Sequence, residues 1–147
     1  MKPINEMKLK TQSKSINESF ARATVAAFAV QLDPTVEELA DIRTAVSEAV
    51  TNCIVHAYPE SVGEIYIWAG IYENGLIRIR IRDTGCGIIN VKQAMEPLFT
   101  TLGGERSGLG FSVMQSFTDK IKVRSVAGKG TTVTMEKYIR GREYCDD

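Results

Sequence analysis

Leu76-Ile77-Arg78-Ile79-Arg80-Ile81-Arg82-Asp83-Thr84-Gly85-Cys86-Gly87-Ile88 is the stretch that decides how this chain folds. Ile and Arg alternate strictly up to Arg82. Successive strand side chains point to opposite faces, so the isoleucines belong to a core and the arginines to the other side of a sheet. Asp83 stands where this strand ends, and the glycines after it let a flat group come close to the backbone. Upstream, Gly63 to Tyr72 is rich in β-branched and aromatic residues. Asn74-Gly75 is a tight-turn signal between the two segments, which predicts a hairpin.

Working outward, Met7 to Thr11 alternates apolar and polar residues and reads as a short strand at a sheet edge. Ser15 and Glu18 have capping-box spacing and predict a helix to about Leu32, broken by Asp33-Pro34. Thr35 and Glu38 repeat the pattern. They open a second helix whose apolar residues, from Val36 through Ile42, Val46 and Val50 to Ile54, keep helical spacing until Pro59. Downstream, a short helix is predicted near Val91–Met95, an irregular segment over Pro97–Ser107 and a helix from Gly108 to Phe117. A final hairpin of Lys120–Val126 and Thr131–Tyr138 turns at Gly128-Lys129-Gly130. The pattern predicts an α+β fold: a two-layer α/β sandwich with a mixed, mostly antiparallel sheet and helices on one face. Residues 1–138 are expected to form one domain and 139–147 a tail.

A chain of 147 residues suffices for one domain that buries roughly 70% of its unfolded surface. Lys+Arg and Asp+Glu balance at 18 each, so bulk charge gives no argument for nucleic acid or an anionic membrane, although a local basic patch is compatible with it. Cys53, Cys86 and Cys145 show neither CxxC spacing nor a Cys/His cluster, which argues against disulfides and structural zinc and for packing roles. No apolar run approaches the ~20 residues needed to span a bilayer, and Met1 to Glu6 lacks a signal-peptide core. A cytoplasmic location with reduced thiols is expected.

Four segments carry candidate chemistry. In Ser47-Glu48-Ala49-Val50-Thr51-Asn52-Cys53-Ile54-Val55-His56, the residues Glu48, Asn52 and His56 stand four apart and project from one helical face. Alone, that stripe reads first as a solvated face. Asp83-Thr84-Gly85-Cys86-Gly87 ends a buried strand with a carboxylate able to accept from an exocyclic amine, though the pattern also occurs in ordinary turns. Ser107-Gly108-Leu109-Gly110-Phe111 begins a helix, where unpaired N–H groups favour phosphate. The last, Gly128-Lys129-Gly130-Thr131-Thr132, reads alone as a hairpin turn.

In this order and spacing the four segments resemble the Bergerat (GHKL) ATP-binding fold of gyrase, histidine kinases and a heat-shock chaperone, over nearly the whole chain. Within that superfamily, four stretches look like the stand-alone serine kinases that act as anti-sigma factors, the sporulation branch above all. They are Asn17-Glu18-Ser19-Phe20-Ala21-Arg22, Ser47 to Asn52, Pro97-Leu98-Phe99-Thr100-Thr101 and Glu105 to Phe111. A histidine kinase is expected to carry a phosphoacceptor helix upstream, and gyrase-like ATPases further domains.

The resemblance implies Mg²⁺ and ATP as cofactors, with Glu48 as general base toward a serine hydroxyl and Asn52 as ligand to Mg²⁺. It assigns Asp83, assisted by Thr131, to the adenine amino group, and Gly85 and Gly87 to the base pocket. Ser107 begins the phosphate-binding helix start, where Gly108, Leu109, Gly110 and Phe111 offer backbone N–H groups. Thr100, Thr101 and Arg106 belong to a lid, Arg106 facing the γ-phosphate. Two departures stand out: the lid stretch Leu102-Gly103-Gly104 is slightly short, and Ala57 follows His56 where glycine is common. The implied partners are a sporulation sigma factor, held inactive, and a small anti-anti-sigma (STAS-like) protein, phosphorylated on serine. Arg22 is the candidate contact to both, and a homodimer through sheet edges is expected. The rival readings are a general-stress kinase of the same family and an ATP-gated sequestering module that transfers no phosphate.

Overall fold

The computed structural model describes residues 1–95 and 110–141. Five strands, β1 (Asn5–Gln12), β2 (Glu64–Ile71), β3 (Leu76–Asp83), β4 (Lys120–Val126) and β5 (Gly130–Tyr138), form one sheet in the order β1-β2-β3-β5-β4. All four pairings are antiparallel, where the sequence pattern left room for a mixed sheet. Helices α1 (Asn17–Ala29), α2 (Val36–Asn52), α3 (Val91–Ala94) and α4 (Phe111–Phe117) complete the α+β sandwich.

β3 is the central strand, paired with β2 on one side and β5 on the other. Ile77, Ile79 and Ile81 are buried, while of the arginines that alternate with them Arg78 is half-buried and Arg80 and Arg82 are exposed, as strand alternation demands. Burying each isoleucine contributes about 1.5–3 kcal/mol. In register, Ile79 lies between Ala69 of β2 and Met135 of β5, and Ile81 between Ile67 and Val133. The small residues Ala21 and Ala29 of α1 and Ala45 and Ala49 of α2 join these side chains in one core cluster, letting the helices approach closely.

The two helix starts turn out differently. Ser15 makes no capping box: the residue before α1 is Ile16, already helical at φ −63° and ψ −23°, with no side-chain cap. The chain enters α1 through a backbone turn instead, with the Glu18 N–H donating to the Ser15 carbonyl at 3.2 Å. Glu18 is drawn toward Arg22, one turn ahead. α1 tightens into a 3-10 turn over Val30–Leu32 and stops at Asp33, a left-handed residue (φ 52°) before Pro34. Asp tolerates that conformation better than most side chains.

At α2 the reciprocal box does form. Glu38 N–H donates to the Thr35 hydroxyl at 3.0 Å, and Thr35 N–H donates to the Glu38 carboxylate at 2.9 Å. The same carboxylate accepts from Arg140 N–H (2.7 Å) and Gly141 N–H (3.1 Å), tying the chain beyond β5 to the start of α2. Ile139, next to them, is buried. Burial opposes the charged form of Glu38, but the hydrogen bonds from Thr35, Arg140 and Gly141 outweigh it and hold the carboxyl below its ordinary value. The stability this carboxylate supplies is therefore fully present above the ordinary carboxylate pKa and is lost as pH falls through the depressed folded value. Glu38→Ala should cost about 1–2 kcal/mol in a urea titration at neutral pH, with a smaller penalty at acid pH. A penalty independent of pH would show that the charge contributes nothing.

Candidate functional site

Helix α2 does not run unchanged to Pro59. After Asn52 it widens into a π-helical turn over Cys53–Ala57, a rare device that is frequent at functional sites. The final carbonyls of a helix lack partners within it, and here they meet the loop after β3. Cys86 N–H donates to the Ala57 carbonyl at 3.0 Å, and the Cys86 thiol donates to the His56 carbonyl at 3.0 Å. Cys86 is thus an exposed loop residue rather than the packing residue expected, whereas Cys53 is buried. Cys145 lies outside the described residues.

The loop itself is shaped by steric exclusion. A Cβ on Gly85 would collide with the Ala57 carbonyl. At Gly87, left-handed at φ 75°, a Cβ would collide with the Val126 carbonyl. Gly128 N–H donates to the Cys86 carbonyl at 2.6 Å, and Ile88 N–H to the Ser125 hydroxyl at 2.7 Å, so the β4–β5 hairpin braces the loop from the other side. The Ser125 hydroxyl also lies 2.8 Å from that of Thr131.

Asp83 sits at the centre of this arrangement, 6% exposed. Its Oδ1 accepts from Gly85 N–H at 3.0 Å and from Thr131 N–H at 3.2 Å, and the Cys53 thiol lies 3.6 Å from its Oδ2 as a donor. Burial, and after it the Asp83 charge, push the Cys53 thiol well above the ordinary thiol range, so it remains protonated. Gly130 packs against the main chain of the same residue, since a Cβ there would collide with the Asp83 backbone carbonyl.

Beside Asp83 opens a cavity of about 270 Å³. Asn52, Cys53 and His56 line it from the end of α2, Asp83 and Ile81 from β3, and Thr131 and Val133 from β5. Gly87, Ile88 and Phe111 complete the wall, which is apolar except for a few polar groups. A flat heteroaromatic group with one polar edge suits such a wall. Glu48, one turn before Asn52, is not among the lining residues. It lies against the start of α4, where a Cβ on Gly110 would collide with its carboxylate. Gly110 is left-handed (φ 71°) and α4 begins at Phe111, later than the predicted start at Gly108. Of the sequence-predicted residues, Asn52, Asp83, Gly87, Phe111 and Thr131 meet at this cavity, Gly85 stands behind it, and Glu48 and Gly110 adjoin each other. Thr100, Thr101, Arg106, Ser107, Gly108 and Leu109 lie outside the described residues. Oxygen donors one helical turn apart, Glu48 and Asn52, are of the type a hard divalent cation takes.

Arg22 is elsewhere, on α1, with its guanidinium 3.3 Å from Glu18. It borders a shallow depression shared with Ser19, half-exposed Phe20, Ala23 and Arg43.

Sequence reasoning missed Tyr58. Its hydroxyl accepts from Thr84 N–H at 2.8 Å and donates to the Glu64 carbonyl at 2.8 Å, pinning the residue after Asp83 to the start of β2. The only hint was Gly63, where a Cβ would collide with the Tyr58 ring.

Residues 12–137 match the family described as the histidine kinase-like ATPase domain. An anti-sigma F factor of Caldanaerobacter subterraneus subsp. tengcongensis is 62% identical over 136 residues, covering 92% of this chain and 94% of that one. One from Clostridium acetobutylicum is 54% identical over 134 residues, covering 90% and 93%. Among solved structures, the RsbU and RsbW domains of a Mycobacterium tuberculosis protein superpose with a TM-score of 0.69 at 20% identity, over 93% of this chain and 32% of that one. The histidine kinase domain of a blue-light activated kinase from Erythrobacter litoralis gives 0.58 at 17% identity, over 83% and 60%. At such identities these two speak for the fold alone.

Tyr58→Phe removes the acceptor for Thr84 N–H and should cost about 1–2 kcal/mol. It should also speed amide exchange at Thr84 and Gly85 relative to the core of β3. Unchanged exchange at those two amides would mean that the hydroxyl does not hold the loop.

Proposed function

Because the chain belongs to the histidine kinase-like ATPase domain family, and within it to the anti-sigma F factors, we propose that it is a Mg²⁺-ATP-dependent serine kinase that restrains a sporulation sigma factor. The observation that carries this reading is the convergence on one cavity of Asn52 from α2 and Asp83 from β3, with Glu48 one turn from Asn52.

At the base end, Asp83 Oδ1 is engaged by two backbone N–H groups, which leaves Oδ2 directed to the adenine amino group. The Cys53 thiol shares that oxygen, and the aromatic and aliphatic wall takes the purine faces. At the phosphate end, Asn52 offers its amide oxygen to Mg²⁺, which when bound neutralises charge on the phosphate oxygens. Glu48 takes the proton of the attacking serine hydroxyl, a step typically worth 10²–10⁴-fold. In this reading the phosphates are assigned to backbone N–H groups of the Gly108 to Phe111 stretch, and the lid to Thr100, Thr101 and Arg106.

The substrate serine belongs to a small anti-anti-sigma protein of the STAS type, whose phosphorylation prevents it from releasing the sigma factor. Arg22, with Phe20 and Arg43 beside it, contacts both proteins. The kinase acts in the cytoplasm as a homodimer; no helix among the described residues is long and apolar enough to cross a membrane.

Incubation with γ-labelled ATP and an anti-anti-sigma protein should label a serine. Glu48→Ala should abolish the label while sparing ATP affinity, and Asp83→Ala should weaken ATP binding itself. Equal loss of binding in the two variants would overturn this division of roles, and an unlabelled serine with the unaltered chain would overturn the kinase reading.

A further inference from the structure

Asp83, Thr131 and Ser125 stand side by side on β3, β5 and β4, in one row across the sheet. The row belongs to the face that the helices cover, because Asp83 continues the parity of the buried Ile77, Ile79 and Ile81. Asp83 and Thr131 line the cavity beside the end of α2. Ser125 stands behind Thr131 and is not among the lining residues.

Counting protons fixes the direction of the contact between the two hydroxyls. A serine hydroxyl has one proton and two lone pairs. The Gly130 carbonyl, 3.0 Å away, can only accept, so it takes the Ser125 proton. Ile88 N–H, at 2.7 Å, can only donate, so it occupies one lone pair. The other lone pair meets the Thr131 hydroxyl at 2.8 Å, and Thr131 must be the donor. With its proton turned back to Ser125, the Thr131 hydroxyl offers the cavity lone pairs alone. The Thr131 N–H is committed as well, donating to Asp83 Oδ1 at 3.2 Å. Asp83 and Thr131 therefore give the cavity an edge of acceptors. An exocyclic amine satisfies such an edge, whereas a keto oxygen in the same place meets other lone pairs and goes without a partner, the kind of mismatch by which polar sites reject analogues.

We propose that Ser125 is a positioning residue for base selection: by holding the Thr131 proton away from the cavity, it makes the site favour a 6-amino purine over a 6-keto purine. The inference rests on the nucleotide reading above and adds to it a residue that touches no nucleotide. Without Ser125 the Thr131 hydroxyl is free to turn, donate inward to a keto oxygen and relieve the mismatch. The loss of Ile88 support, in contrast, has no preference between bases.

The test titrates the full chain with Mg²⁺-ATP and Mg²⁺-ITP by calorimetry, since ITP carries a keto oxygen where ATP carries its amino group. The unaltered chain should prefer ATP, and Ser125→Ala should lower the ratio of ATP to ITP affinity about tenfold. Ser125→Thr, which keeps a hydroxyl, should restore the ratio. In a Thr131→Val background there is no hydroxyl left to orient, so adding Ser125→Ala should leave the ratio where it was. Tyr58→Phe, which loosens the loop without touching this row, should weaken both nucleotides in proportion. A measurement on the unaltered chain needs no variant to fold: the Thr131 hydroxyl proton should exchange slowly and show a nuclear Overhauser contact to the Ser125 β-protons. An unchanged ratio in Ser125→Ala, an equal drop in the Thr131→Val background, or a Thr131 hydroxyl proton in contact with the bound base would each overturn the inference while leaving nucleotide binding intact. Failure of the unaltered chain to bind either nucleotide would instead remove the nucleotide reading, and this inference with it.

Discussion

A buried carboxylate with every neighbour accounted for holds the site together. Taking the charge of Asp83 out of water is tolerable only with hydrogen-bond donors around it, and they come from three parts of the chain: Gly85 in the loop, Thr131 at the start of β5 and Cys53 at the end of α2. The requirement to satisfy this one group therefore fixes the loop, the last hairpin and the helix end relative to one another. The cavity is the space left between them. Its polar edge is the same carboxylate that organises its walls, so folding and ligand recognition share a single group.

What was legible in the sequence was local. The Ile/Arg alternation gave β3 and both its faces, because strand periodicity and burial agree at every residue from Ile77 to Arg82. The Thr35 box was legible because donor, acceptor and spacing all lie within four residues. The same spacing at Ser15 misled: Ile16 is already helical, so the serine is one residue too early to cap. The four motifs were weak singly and became informative only in order, since their meeting depends on strand pairing that no short window contains.

What escaped was non-local or hidden by an unchanged pattern. The π-helical turn at Cys53–Ala57 leaves the apolar periodicity of α2 nearly intact, so nothing in the sequence marks it. Tyr58 acts on the backbone of Thr84, 26 residues away, through an oxygen that composition would leave at the surface. The row of Asp83, Thr131 and Ser125 was hidden as well, because these residues of three strands become neighbours only once the register is known.

The loop after Asp83 also predicts where drift in the sequence is permitted. Both main-chain bonds at Cys86, its N–H to Ala57 and its carbonyl to Gly128, are indifferent to the side chain between them. At positions 85 and 87 a single added carbon would strike a carbonyl oxygen of a neighbouring element. Relatives should therefore keep both flanks of Gly85-Cys86-Gly87, where crowding alone excludes a side chain, and vary more readily at the middle residue, where a replacement gives up only the thiol's bond to the His56 carbonyl.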